Sequence, residues 1–518
     1  MPEQYNAAAD LLDGNLEAGR GERIAIRATD GAELTYTEVA AAANRAGGAL
    51  RELGVEMENR VLLAVLDGPE FAAAFFGAIK LGAVPVPVNT NLKPRDYAHC
   101  LRDSRARVAV VSAPLAGAFR EVRDEAPHLR NLVVIGAAGP GELSYAEITA
   151  GASDELLAAD TGPDDMCFWL YTSGTTGPPK GVVHLQHDMR YVVDHYARQV
   201  LRMDAADVTF SAAKLYFAYG LGNALYIPFG VGATTVLHAG MPAPATVLDV
   251  VRRFRPTLYF AGPSSYANTL AAGAEVWAGA DFSSVRVCVS AGEPLAGSLL
   301  ERWRARTGLD ILDGIGSTEC CHMFISNRID DVRSNSTGTV VPGYQVKVVD
   351  ERGEEVGDGE VGRLLVSGDS ICSMYWNQHE RTKRTIRGEW IDTGDQFVRG
   401  GDGTLRYQGR SDDMLKVSGI WVSPSEVESV INAHPAVLEC AVVGIVDAQR
   451  LVRPEAFVVL QAGRHGGAEM VSDLREHVRS VLAHYKCPRA FNFVAELPKT
   501  ATGKIRRYEL RQGPLLPA

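Results

Sequence analysis

Between positions 171 and 181 the chain reads Tyr-Thr-Ser-Gly-Thr-Thr-Gly-Pro-Pro-Lys-Gly, set between the apolar runs 167–170 and 182–183. Glycines let backbone N–H groups come close to an anion, Ser and Thr hydroxyls donate further hydrogen bonds, and Lys180 brings charge. Those residue types in that density suit a phosphate. The Walker order is excluded, because Gly177 is followed by Pro178 where that loop needs lysine. A Ser/Thr/Gly surface linker has the same composition, so the loop needs support from elsewhere in the chain.

Four further segments supply it: Asp-Gly-Ile-Gly-Ser-Thr-Glu at 313–319, Trp-Ile-Asp-Thr-Gly-Asp at 390–395, Arg-Ser-Asp-Asp-Met-Leu-Lys at 410–416 and Pro-Lys-Thr-Ala-Thr-Gly-Lys at 498–504. Any one of these strings arises by chance, and T-G-D often means only a turn. Five in this order resemble the adenylate-forming superfamily of acyl-CoA synthetases, nonribosomal-peptide adenylation domains and luciferases, over essentially the whole chain. The resemblance implies that Thr172, Ser173, Gly174, Thr175, Thr176, Lys180, Glu293, Asp313, Asp395 and Arg410 bind ATP or AMP. It gives Thr318 the α-phosphate, Glu319 a Mg²⁺ ion, and Asp395 both ribose hydroxyls, with Arg410 near the ribose. Mg²⁺ with few protein ligands suits that chemistry, since it keeps waters and bridges phosphates. Lys504 is then the catalytic lysine beside Thr318 and Glu319, and Asp412 a hinge.

For the acid, segments 211–223, 314–324 and 416–424 are similar to those of benzoate-CoA ligases. A flat aromatic acid needs a narrow apolar slot with backbone against its faces. Phe217, Ala218, Tyr219, Ala291, Gly292, Gly314, Ile315 and Gly316 are the expected walls, with His322 and Met323 at the rim. Each glycine could equally serve close packing. A lone histidine in the run Cys-Cys-His-Met-Phe is ordinarily structural, and the resemblance raises the substrate-contact reading. Ala218 stands where amino-acid-activating relatives carry aspartate and dihydroxybenzoate-activating ones asparagine, which argues against an α-amino acid. Cys320 and Cys321 are expected to act as small hydrophobes.

The implied reaction is attack of an aryl carboxylate on MgATP to give aryl-AMP and pyrophosphate, followed by thioester formation with coenzyme A. Lys416, Ser418 and Gly419 would lie at the coenzyme A side once a small mobile domain swings about Asp412. A stand-alone adenylating enzyme loading a carrier protein is the main alternative. A luciferase-like oxygenase is disfavoured by the small pocket, and a nucleotide sensor by the presence of Lys504 and Glu319.

The elements that must position these residues read as α/β. Helices are expected at 34–53, 71–81 and 94–103, and strands at 61–66, 84–88 and 108–111, an alternation that implies a doubly wound, mostly parallel sheet. The apolar run before the phosphate loop is expected to be another strand end of that sheet. After Arg410 the elements shorten, with a helix at 425–433 and strands at 438–445 and 456–460. The expected division is a large domain at 1–411 and a small α+β domain at 412–518. A net charge of −11 disfavours nucleic-acid or anionic-membrane partners. The most apolar stretch, 71–88, is broken by Lys80, Gly82, Pro85 and Pro87 and does not read as a membrane span. With no secretory pattern and eight cysteines lacking C-x-x-C spacing, a reducing cytoplasm is expected and a zinc site is not. Oligomeric state stays open, a homodimer among the options.

Overall fold

The computed structural model describes residues 2–172, 179–411, 413–417, 420–446, 452–499 and 505–511. Within the pairs 416–417 and 420–421 only the backbone is described.

The first parallel sheet has the order Val84–Pro87, Arg60–Ala64, Val108–Ser112, Asn131–Ile135 and Leu143–Ser144. All four pairings are parallel. Val108–Ser112 is buried at every position. Such an unbroken apolar run is what a strand covered on both faces requires. Helix Tyr36–Glu52 begins at a capping box in which Thr35 and Glu38 satisfy each other's backbone N–H groups. It packs against helix Pro69–Lys80, which carries Pro69 at its first position.

A second sheet has nine strands, and its five consecutive parallel pairings run from Ile311–Gly316 through Val287–Ser290, Leu258–Ala261, Val208–Ser211 and Thr234–Leu237 to Ile24–Ala28. Antiparallel strands close both ends: Glu33–Thr35 on one side, Met323–Ser326 and Thr339–Val340 on the other. The doubly wound α/β expectation therefore holds for both sheets.

The run before the phosphate loop is a correction. Met166–Thr172 does not end a strand of either parallel sheet; it pairs antiparallel with Lys180–Leu185. Met374–Tyr375 adds a short third strand. A Gly/Pro-rich stretch between two apolar runs is itself a hairpin signal, and here that local signal outweighs the α/β alternation around it. A third large sheet, antiparallel, is built from Gln345–Val349, Val361–Ser367, Ile386–Arg387, Trp390–Arg399 and Leu405–Arg410.

Beyond it lies a smaller α+β unit. Strands Val437–Val446, Val452–Leu460 and Ala490–Phe493 form its sheet, and helices Pro424–Asn432 and Ala468–Val481 pack against it. Its own core contains Val427, Ile431, Val442, Val458, Leu474 and Val478. Among the described residues no helix is long and apolar enough to cross a membrane.

Candidate active site

Four neighbouring parallel strands of the nine-stranded sheet end at one edge. Past their carboxyl ends come 212–219, Gly262, Ala291-Gly292-Glu293 and Ser317-Thr318-Glu319. This is where open α/β sheets place ligands. The topology thus brings most of the expected acid residues to one edge together with Glu293, Thr318 and Glu319, although they are up to about a hundred positions apart in sequence.

On the nucleotide side, Thr172 ends the first hairpin strand and pairs with Lys180, which opens the second. Ser173, Gly174, Thr175 and Thr176 lie outside the described residues, as do Asp412, Ser418, Gly419 and Lys504; Lys416 is described in its backbone alone. Glu293 accepts from the Ser264 hydroxyl at 2.7 Å. The Asp313 carbonyl accepts from Asn327 through its backbone N–H and its side chain. Its carboxyl oxygen Oδ1 is buried without a partner among the described residues, and burial pushes the group well above the usual carboxylate range.

Ser317 caps the single turn Thr318–Cys320 by accepting from the Cys320 N–H at 3.2 Å. Glu319 accepts from the Tyr375 hydroxyl at 2.8 Å, and its backbone carbonyl accepts from the Cys372 N–H at 2.7 Å. Burial, with Glu319 beside it, raises the Tyr375 phenol. Among the described residues no group of three or more His, Cys, Asp or Glu could hold a metal.

T-G-D is not a turn here. Thr393, Gly394 and Asp395 lie within the strand Trp390–Arg399, and Asp395 faces Arg410 directly across the ladder. Arg410 Nη1 reaches Asp395 Oδ1 at 3.1 Å and the Thr393 carbonyl at 2.9 Å. The cross-strand register therefore sets this carboxylate–guanidinium pair.

On the acid side, Phe217 precedes the turn Ala218–Leu221, and the helix then widens into a π-helical turn, Gly222–Tyr226, before Ile227–Val231. A second π turn lies at Val193–Ala197. Such turns recur at functional sites because they re-aim side chains within a helix. Both serve His322: its ring lies 5.2 Å from Tyr196, 5.8 Å from Tyr219 and 6.3 Å from Tyr226. A Cβ at Gly222 would come within 2.7 Å of His322 Nε2 and 2.9 Å of the Tyr226 hydroxyl, so the imidazole occupies the room a side chain would need.

His322 is aimed by a tight turn centred on Cys321 (φ 67°, ψ −43°), closed by the His322 N–H donating to the Cys320 carbonyl at 2.7 Å. A non-glycine residue in this γ-turn geometry is strained by about 1–3 kcal/mol. The side chain is 2% exposed, and among the described residues neither ring nitrogen has a hydrogen-bond partner. Burial pulls the imidazole down to about 3, so it is neutral. The side chain of Asn223 is likewise buried without a hydrogen-bond partner among the described residues.

Ala218 and Ala291 are buried and small, as a slot wall requires, and Gly292 (φ +91°) faces open space. Gly314 and Gly316 have another sufficient cause. A Cβ at Gly314 would strike the Met323 methyl, and one at Gly316 the backbone of His322 and Met323, so strand packing already demands both. Ile315 is partly buried and Met323 is buried. The segment carrying Phe217 is anchored by the buried pair Lys214–Asp67 at 2.9 Å. Cys320 and Cys321 are buried thiols, Cys320 pushed up to about 12 and Cys321 raised well above the usual thiol range, both by burial, which suits packing and not nucleophilic chemistry.

Several supporting residues were not expected from sequence. His184 and Asp188 make a buried pair behind Thr318, and Tyr375 binds Glu319. The His-x-x-x-Asp spacing was a usable signal for the first two; Tyr375 carried none.

Residues 15–376 match the model of the AMP-binding enzyme family, and residues 426–504 that of the AMP-binding enzyme C-terminal domain. The chain is 50% identical to a benzoate–CoA ligase of Thauera aromatica, over 99% of this chain and 96% of that one. The anthranilate CoA ligase AuaEII in complex with anthranoyl-AMP superposes with a TM-score of 0.95 at 42% identity, covering 99% of this chain and 97% of that one. A benzoate CoA ligase from Burkholderia xenovorans LB400 gives 0.91 at 42% identity, covering 98% and 100%. The chain belongs to the adenylate-forming family of AMP-binding enzymes.

Proposed function

We propose that this chain is an ATP-dependent aryl-acid–CoA ligase acting on benzoate or a substituted benzoate. The carboxylate attacks the α-phosphate of ATP, forming aryl-AMP and releasing pyrophosphate. The coenzyme A thiol then attacks the acyl carbon, forming the thioester and expelling AMP. Full-length similarity to benzoate–CoA ligases of Thauera aromatica and Rhodopseudomonas palustris supports the substrate class. The observation that carries the proposal is local. A neutral imidazole packed among three tyrosines closes the inner end of the segment that carries Phe217, Ala218 and Tyr219, on the sheet edge that also carries Thr318 and Glu319.

In this proposal the phosphate loop, from Thr172 to Lys180, cradles the phosphates and Thr318 meets the α-phosphate. Glu319 holds the Mg²⁺ that enters with ATP, Asp395 takes the ribose hydroxyls beside Arg410, and Lys504 meets charge developing on the reacting oxygens. Glu293 and Asp313 complete the nucleotide side. Gly292 and Ala218 give the ring backbone and small-residue walls, with Ile315, Ala291, His322 and Met323 around it. We assign the domain boundary to 411–412, with Asp412 as pivot. Rotation there would withdraw Lys504 and bring Lys416, Ser418 and Gly419 to the thiol. All eight cysteines are unpaired, in keeping with a cytoplasmic setting.

The test is pyrophosphate release by the full-length enzyme over benzoate, ring-substituted benzoates, acetate, octanoate and amino acids, each with and without coenzyme A. Turnover confined to aryl acids and completed only with coenzyme A is expected. Aryl-dependent release without a thioester would move the acceptor to a carrier protein, and silence with every aryl acid would overturn the assignment.

A further inference from the structure

We propose that His184 and Asp188 form a positioning pair that locks the turn bearing Thr318 and Glu319 to the two strands flanking the phosphate loop. Both side chains are fully buried. His184 Nδ1 lies 2.6 Å from Asp188 Oδ2, and Nε2 lies 2.7 Å from the Thr318 carbonyl oxygen. A carboxylate and a carbonyl both accept, so each ring nitrogen faces an acceptor. Asp188 Oδ2 also accepts from the Leu185 N–H at 3.1 Å, and Oδ1 lies 3.2 Å from His187 Nε2. The imidazole stacks on Phe168 at 4.9 Å and 17°.

Phe168 sits on the strand before the phosphate loop and His184 on the strand after it, directly opposite in register. Thr318 lies 134 positions further on. One buried ring therefore touches three elements that must agree in position for a phosphate gripped by the loop to meet Thr318. Satisfying the Thr318 carbonyl is not its main purpose, because that oxygen already accepts from the Cys321 N–H at 3.2 Å. What the imidazole adds is direction. A buried ring with a polar partner at each nitrogen holds one geometry where a packing contact would tolerate several.

This rests on Thr318 and Glu319 acting at the phosphates, as proposed above. The test uses full-length wild type, His184→Phe (ring kept, both hydrogen bonds lost) and Asp188→Asn (same shape, no charge). Benzoyl-AMP formation and thioester formation from supplied benzoyl-AMP are measured separately. We expect kcat for adenylation to fall about 10- to 100-fold in each variant, in the range for outer-shell partners. The KM for benzoate and the thioester step should stay near wild type. The double variant should be no worse than the weaker single, since the two act as a unit. Equal losses in both half-reactions, or an Asp188→Asn enzyme that adenylates like wild type, would overturn the proposal. Should His184→Phe fail to fold, Asp188→Asn alone decides it. A wild type that makes no aryl-AMP overturns the functional reading and this one with it, a result distinct from variants that match an active wild type.

Discussion

His322 shows what burial does to a single group. Its ordinary value of 6.5 falls to about 3, chiefly through desolvation. On acidification the unfolded chain takes up a proton near 6.5 while the folded ring stays neutral until about 3. The stability tied to this ring is complete above about 6.5 and is lost as pH falls through that window, amounting to about 5 kcal/mol at most. Thermal melting of wild type and His322→Phe between pH 7 and pH 4 checks this. The wild-type melting temperature should drop more steeply, and parallel curves would contradict a neutral buried imidazole. Among the described residues the polar side-chain atoms of His322 and Asn223, beside the acid segment, have no hydrogen-bond partner of good geometry. Sequence made His322 a candidate only through its neighbours, and Asn223 gave no signal, because whether a polar side chain finds a partner depends on elements far off in the chain.

Among the elements, the helix from Ala218 to Val231 does the positioning, through its π turn. Gly222 on that turn lies against the imidazole, so Gly222→Ala must push His322 or the helix outward. Overpacking of this kind costs about 1–3 kcal/mol. We expect KM for benzoate to rise about tenfold or more with KM for ATP unchanged, read from initial rates against circular dichroism as a folding control. An unchanged benzoate KM would mean that the imidazole does not define the acid site. The regular elements were legible: the helix expected at 34–53 is Tyr36–Glu52 and the strand expected at 108–111 is Val108–Ser112. The hairpin around the phosphate loop was not, since an apolar run looks the same in a parallel and an antiparallel sheet until its partner is known. Nor were the π turns at Val193–Ala197 and Gly222–Tyr226, which carry Tyr196 and Tyr226 against His322.

At the scale of the molecule, the proposed chemistry needs two arrangements of the same parts. In that proposal Lys504 acts in adenylation, where charge develops at the α-phosphate, and has little part in the thiol step. Losing one preorganised charge donor costs about 10²–10³ in rate. The smaller unit has its own core, as the proposed rotation requires. Five motifs spread over positions 171–504 told the class of chemistry from sequence, whereas the contacts that tie the motifs to one another, His184 to Thr318 and Tyr375 to Glu319 among them, became visible only in three dimensions. The most direct measurement is product identity by mass spectrometry for wild type and Lys504→Ala, with benzoate and ATP, with and without coenzyme A, and from supplied benzoyl-AMP. The account predicts benzoyl-AMP from wild type alone and benzoyl-CoA once coenzyme A is added. The variant should be crippled with benzoate yet nearly normal from benzoyl-AMP. A wild type that forms no benzoyl-AMP, or a variant equally impaired in both half-reactions, would contradict it.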